Sequence, residues 1–432
     1  MIFLLACGGN GSERQWLQEQ LVRDNLIWVG RDPALLESKF TEMATSSYSY
    51  MRGSLAVHLA DVTRIRSDRI PDAFLQSADS LTLLQIGDPH LENLSVYWNS
   101  VQQSVEWADL DAVSYGPWNW DVRRAGLSAM ILSDYIECDC EEELLNVFFD
   151  GYFDAFQRDL NPFEESAVVR DLLDEAQEEG LERKKLNKYT DNGKFKLDDA
   201  LSENGKGLLS LSAEEKAQCL RLWAVFKSDG IFLDCARRYG VGVSSRPAIR
   251  YAVLFETADR VEHMVLIREV INPPIYVELN PVWSSNTDRI ESQDLIWSNI
   301  EADPFYQGLS DGDVDFKSVS WNSNIQDVDR DKLLEAWEDG ELSIDAVENL
   351  LRSMGIVLAQ THQRVPNIDG IKGVRLIEQY IEQGGGADAF KEQMRLFVQE
   401  DYSRTKMHYE LFLELLDTQG TLLGMEQFWS VQ

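Results

Sequence analysis

Apolar residues recur at three- and four-residue intervals along most of the chain, a spacing that predicts amphipathic helices. The first covers residues 10 to 30, where Trp16, Leu17, Leu21, Leu26 and Ile27 share a face. The pattern predicts a helix running through Val62 and further helices at 120–135, 141–156, 162–182, 213–227, 289–300, 329–337 and 343–363. Two more, 374–383 and 387–416, flank a hinge at Gly384, Gly385 and Gly386. Period-two alternation is confined to fewer places. Apolar runs at 249–256 and 262–270 flank a break at Thr257–Arg260, and 315–321 alternates as Asp-Phe-Lys-Ser-Val-Ser-Trp, so all three read as strands. Residues 184–206, with Asp-Asn-Gly and Glu-Asn-Gly turns, break the helical pattern and predict a loop or hairpin at a unit boundary.

Polar positions concentrate between residues 83 and 121, where an apolar run enters Gly87-Asp88-Pro89-His90-Leu91-Glu92-Asn93 and a second run enters Asp109-Leu110-Asp111. Asp88 suits orientation of a hydroxyl, and Asn93 suits a divalent cation. In an extended segment Asp109 and Asp111 point to the same side. Such hard oxygen ligands fit Mg²⁺, which takes one or two protein carboxylates and completes its shell with phosphate and water. Asp, Asn, Pro and Gly also make ordinary turns, which is the alternative for both loops. Asp121, at the positive end of the helix that follows, serves to steady the loop. Arg52, just ahead of an apolar helix, either binds a phosphate or pairs with an aspartate of the acidic loops, the alternative being a surface arginine near a helix start. His362, ending an apolar helix face, reads as a hydrogen-bonded core residue.

Downstream, Gly240-Val241-Gly242 precedes the strand pair, and glycines of this kind let backbone amides approach phosphates. Arg268 lies on the second strand of that pair, and Glu291, on the helix expected next, is its candidate partner.

Composition narrows the functional classes. With 432 residues the chain is long enough for two or three packed units. Forty basic against 74 acidic residues give a formal charge of −34, which repels the nucleic acid backbone and anionic membranes. An acidic, solvated surface or a cationic substrate accounts for that balance. Five cysteines are too few for a disulfide framework, and Cys138-Asp139-Cys140 lacks zinc-site spacing, so it is expected on a helix surface in a reducing cytoplasm. Leu4-Leu5-Ala6-Cys7 has a lipobox look, but the apolar run before it is very short and carries no basic residue.

The two acidic loops resemble the catalytic and metal loops of kinase-like phosphotransferases of the aminoglycoside and choline kinase branch, which read GDxHxxN followed by a hydrophobic residue and Asp. That resemblance implies Asp88 as catalytic base, Asn93 and Asp109 as metal ligands, and Asp111 as a second ligand or a structural acceptor. It also implies a glycine loop, two strands and a cation on the third strand, met here by Gly240, Gly242 and Arg268, where lysine is expected. The whole chain further resembles a bacterial family catalogued as domain of unknown function 2252, through residues 47–61, 86–94, 107–124, 239–256, 264–270, 301–308 and 354–365.

An ordinary kinase runs from glycine loop to catalytic loop to metal loop, whereas here the last two come first. The resemblance therefore implies an α+β, protein-kinase-like, two-lobed and circularly permuted fold, with a small antiparallel β lobe and a large helical lobe. Residues 1–206 would hold the catalytic and metal loops, 207–325 the nucleotide-binding lobe, and 326–432 helices packing on the first unit. The expected activity is ATP- and Mg²⁺-dependent phosphoryl transfer to a small-molecule hydroxyl. The alternatives are a non-catalytic, pseudokinase-like binding protein or nucleotidyl transfer on the same fold.

Overall fold

The computed structural model describes residues 13–64, 81–178, 180–202, 205–226, 229–270, 283, 285–299, 301–322, 324–383 and 385–426. Leu4–Cys7 and Gly384 lie outside them. The architecture is mixed α+β, with helices throughout and four antiparallel sheets among the described residues.

The strands in chain order are β1 (Thr82–Gln85), β2 (Leu94–Trp98), β3 (Gln103–Trp107), β4 (Ser114–Pro117), β5 (Thr190–Asp191), β6 (Lys194–Phe195) and β7 (Gly207–Leu209). They continue as β8 (Ile231–Tyr239), β9 (Arg250–Glu256), β10 (Glu262–Glu269), β11 (Gln307–Asp311), β12 (Val314–Ser320) and β13 (Ile325–Asp327). The largest sheet has the order β11-β12-β10-β9-β8-β7. Period two decides its faces. Tyr251, Val253, Phe255, Val265 and Ile267 pack beneath the helix Ala213–Val225, while Ala252, Leu254 and Met264 point the other way. Arg268, in phase with Met264 and Leu266, belongs to that second face.

The main core is helical. The helices Asn119–Ile136, Glu141–Gln157, Ile344–Arg364 and Ala387–Gln419 contribute Leu127, Phe148, Tyr152, Met354, Leu358 and Phe397, all fully buried. Glu141–Gln157 and Ile344–Arg364 cross through two glycines: a Cβ on Gly151 would meet the Arg352 carbonyl, and one on Gly355 the Phe148 carbonyl. Arg123 crosses to Asp401 in a bidentate pair at 2.7 and 2.5 Å, tying Asn119–Ile136 to Ala387–Gln419.

Several expectations change. The first helix, Glu13–Val29, buries Leu17, Leu21, Asn25, Trp28 and Val29, whereas Leu26 and Ile27 face solvent, because the two adjacent apolar residues lie off the packed stripe. The 162–182 helix is interrupted at Ser166, whose hydroxyl accepts from Val169 N–H and starts a new helix, Ala167–Gln177. Helix Leu181–Tyr189 occupies the start of the expected loop, and β5 and β6 form its hairpin. The 289–300 helix is two short pieces, Asn286–Ile290 and Gln293–Ile296. Cys138 and Cys140 form a disulfide in the corner between two helices, where Glu137 and Asp139 take positive φ and bring the two Cα atoms to 5.2 Å. No helix among the described residues is long and apolar enough to cross a membrane.

Candidate functional site

The site begins with β1, whose apolar residues Leu83 and Leu84 anchor a sharp exit. Gly87 takes φ +86°, and a Cβ there would run into the Ala112 carbonyl oxygen. The turn is held from behind by Asp121, which accepts from Ile86 N–H at 2.8 Å and Gly87 N–H at 2.9 Å. His362 Nε2 stands 3.4 Å from the same carboxylate, and its Nδ1 is bonded to Tyr152 Oη at 2.9 Å. Asp121 and His362 are thus both structural, as their sequence contexts indicate.

Asp88 emerges from this turn with Oδ1 accepting from Arg124 Nε at 2.7 Å. Burial pushes its carboxyl above the usual range, against the lowering influence of the Arg124 charge and hydrogen bond. Asn93 Nδ2 donates to the Asp88 carbonyl at 2.9 Å, which leaves Oδ1 as the ligand atom of that amide. His90 is kept neutral, its pKa pushed well down by burial and by the charges of Arg52 and Arg124. Arg52 pairs with Glu92 at 2.9 Å, an acid of the first loop but not the aspartate expected as its partner.

Asp109 and Asp111 do point to the same side, although a turn and not a strand does this: Asp109 Oδ1 accepts from Asp111 N–H at 3.3 Å. Two cations from the six-stranded sheet meet them. Arg268 Nη2 lies 2.6 Å from Asp109 Oδ1 and also bonds Asp111. Lys317 Nζ lies 2.9 Å from Asp109 Oδ1 and 2.7 Å from Asp111 Oδ1. Burial alone would raise the Asp109 carboxyl, but the charges of Arg268 and Lys317 outweigh it and hold the pKa well below the usual range.

Lys317 is the residue that sequence reasoning missed. It sits directly across from Arg268 in the β10–β12 register. Its signal lay in the alternation of β12, where Lys317 shares a face with Val319 and Trp321, an unusual place for a lysine that is 2% exposed. Glu291, by contrast, is exposed at the end of a short helix, and the acids facing Arg268 are Asp109 and Asp111.

The glycine loop joins β8 to β9. Gly240 takes φ +71° and Gly242 φ +87°. Arg250 bonds the Val241 carbonyl and donates to Ser245 Oγ at 2.7 Å, while Arg246 Nε donates to the Gly242 carbonyl at 2.8 Å. Arginines therefore set the loop's shape. Gly242 borders a cavity of about 410 Å³ also lined by Asp88, Asn93, Asp109, Arg268 and Lys317, with Leu266, Val319 and Ile325 supplying apolar wall. Asp111 faces a smaller adjoining chamber, and Gly240 sits against Gly205 at the loop's base. One cavity thus joins side chains from 88–109 with others from 242–317.

No curated protein and no solved structure matches the chain. A family model described as an uncharacterized protein conserved in bacteria, DUF2252, matches residues 31–415, and the chain belongs to that family.

Proposed function

We propose that this protein is a kinase-like phosphotransferase that binds a nucleoside triphosphate between the six-stranded sheet and the acidic loops, and transfers its terminal phosphoryl to a small-molecule hydroxyl. The observation that carries the reading is the single 410 Å³ cavity bordered by Asp88, Asn93 and Asp109 on one side and Gly242, Arg268 and Lys317 on the other. Asp88 orients the acceptor hydroxyl and receives its proton, a role suited to a half-buried carboxylate whose pKa lies above its usual range. Arg268 and Lys317 draw the phosphates in, and the lysine on β12 makes up for arginine on β10. Catalysis rests on positioning and charge neutralisation.

The donor set fits Mg²⁺: Asn93 Oδ1 and Asp109 are hard oxygens on the cavity wall, as this cation requires. Bound there, Mg²⁺ would neutralise charge on the phosphates. For this, Arg268 and Lys317 must pass from Asp109 and Asp111 to the nucleotide, exchanging one anionic partner for another.

The permuted order has its own support. Helix Ile344–Arg364 ends at Val365, and the Pro366 carbonyl accepts from Leu84 N–H at 2.9 Å, so the chain leaving this helix runs beside the strand that feeds Asp88. The same cation pairing favours a second reading, a non-catalytic binding protein, because Arg268 and Lys317 already neutralise the metal-binding acids.

Titration calorimetry of the full chain tests the proposal. Nucleoside triphosphate binds with an affinity that rises with Mg²⁺, and Lys317→Met weakens it about tenfold, the effect of roughly 1.4 kcal/mol. Asp88→Asn retains binding and loses transfer. Absence of Mg²⁺-dependent affinity at millimolar nucleotide overturns the reading. Binding with no transfer to any hydroxyl leaves the second one.

A further inference from the structure

Behind Asp88 lies a second chamber of about 110 Å³. Asp88, Asp109, Ser244 and Ser245 border both it and the larger cavity, so the carboxylate assigned to the acceptor hydroxyl stands on the shared wall. The far side is built by the N-terminal helices: Asp24 and Trp28 from Glu13–Val29, Lys39 from Pro33–Met43, and Ala56 from the helix Leu55–Arg64.

Lys39 is the unexpected member. Its side chain is 2% exposed, and a buried ammonium is costly unless it is well partnered. Among the described residues its hydrogen-bond acceptor is Asn25 Oδ1 at 2.7 Å, with Asp24 at 3.9 Å. Asn25 is itself fixed, since its Nδ2 donates to the Leu21 carbonyl at 2.8 Å. One bond satisfies one of three N–H donors, and the other two are available to an occupant of the chamber.

Before nucleotide binds, the acids around the chamber bring acceptor oxygens with their charge already matched. Asp24 is paired with Lys39, Asp88 is held by Arg124, Asp109 and Asp111 by Arg268 and Lys317, and Glu269 by Arg31 and the Ile249 N–H; with nucleotide bound, Asp109 would exchange its two cations for Mg²⁺. An anionic occupant would face these carboxylates, and a cationic one the Lys39 ammonium. A neutral molecule rich in hydroxyls donates to the carboxylates, accepts from Lys39 and lays its C–H face on the Trp28 indole and on Ala56 and Ala248. Size sets a further limit: a cavity of about 150 Å³ takes benzene, so a chamber of about 110 Å³ suits a molecule no larger than a three-carbon polyol.

We propose that this chamber is the acceptor subsite and takes a small neutral polyol of two or three carbons. The inference rests on the reading of Asp88 as the carboxylate that orients the acceptor. In the transfer step the polyol oxygen forms a bond to the terminal phosphorus of the nucleoside triphosphate and the bond to the bridging oxygen breaks. The hydroxyl proton passes to Asp88, and the products are a phosphomonoester and a nucleoside diphosphate.

Saturation-transfer NMR on the full chain tests this with ethylene glycol and glycerol as probes, each with and without a non-hydrolysable nucleotide and Mg²⁺. Glycerate and ethanolamine serve as charged comparisons. The polyols give saturation transfer, the charged compounds bind about tenfold more weakly, and Lys39→Met and Trp28→Ala each weaken polyol binding by about tenfold. Since Lys39→Met alters a buried group, Ala248→Val provides a second variant that narrows the chamber and lowers polyol affinity; melting curves verify that both are folded. Lack of polyol binding in both states, equal or tighter binding of a charged compound, or polyol affinity unchanged in the folded variants overturns the proposal. The readout needs no turnover. Polyol binding without nucleotide affinity therefore defeats the phosphotransfer reading alone, and nucleotide affinity without polyol binding defeats the chamber alone.

Discussion

Asp121→Ala is the substitution that most directly separates the loop carrying Asp88 from its support. The Asp121 carboxylate is 1% exposed and accepts two backbone N–H groups, Ile86 at 2.8 Å and Gly87 at 2.9 Å. Hydrogen bonds to a charged acceptor contribute about 1.5–3 kcal/mol each, so losing both costs about 3–6 kcal/mol. Alanine also leaves two buried amides with no side-chain acceptor and takes the Asp121 oxygen away from His362. Net stabilities of folded domains are on the order of 5–15 kcal/mol, so the variant folds with much of its margin gone. Urea unfolding followed by circular dichroism reads the loss as a lower midpoint with an unchanged slope. Asp121→Asn, which retains one acceptor oxygen, loses about half as much, roughly 1.5–3 kcal/mol. If Asp121→Ala costs less than about 1 kcal/mol, below the cost of leaving even one buried donor unsatisfied, the carboxylate is not what holds the turn.

Gly151→Ala, which on an exposed helix would stabilise, here drives a methyl into the Arg352 carbonyl and lowers the thermal midpoint, a loss of about 1–3 kcal/mol. Arg123→Met strands Asp401, whose carboxyl burial already pushes up, and costs about 3–5 kcal/mol by urea titration, while the double variant Arg123→Met/Asp401→Leu costs less. Glu13 gives an acid-side signature. Burial would raise its carboxyl, but hydrogen bonds from Arg64 and His408 and the charges of Arg64 and Arg404 bring it from 4.5 to about 2. Since the folded value is depressed, its stabilisation is complete above pH 4.5 and disappears as pH falls toward 2. The side chain is 30% exposed, so solvent screening limits that contribution to about 1 kcal/mol. Glu13→Gln loses this share near neutrality, and its unfolding midpoint converges with that of the parent chain in acid.

Local pattern alone determined most helices of this protein, because an apolar stripe at three- and four-residue spacing is visible wherever a helix covers a core. It also located the β9–β10 hairpin, the acidic loops and the structural nature of Asp121 and His362, each signalled within a few residues. Leu26 and Ile27 escaped it because the helical turn carries both to the side away from the stripe of Leu17, Leu21, Asn25 and Trp28. Ser166 escaped it because a cap breaks a helix without breaking the apolar period. The partners of charged groups belonged to the tertiary structure. Arg268 meets Asp109 and Asp111 across more than 150 positions of chain, and Lys317 joins them only because β12 pairs with β10 in that register. Glu291 has the right charge and a nearby sequence position but lies outside this arrangement. Lys39 shows the same division: its sequence context reads as an ordinary helix, and packing of Glu13–Val29 against Pro33–Met43 is what buries its ammonium in the wall of the chamber that Asp88 also borders. Coulombic and hydrogen-bond partners are selected by distance in space, and hydrophobic period carries no record of that distance.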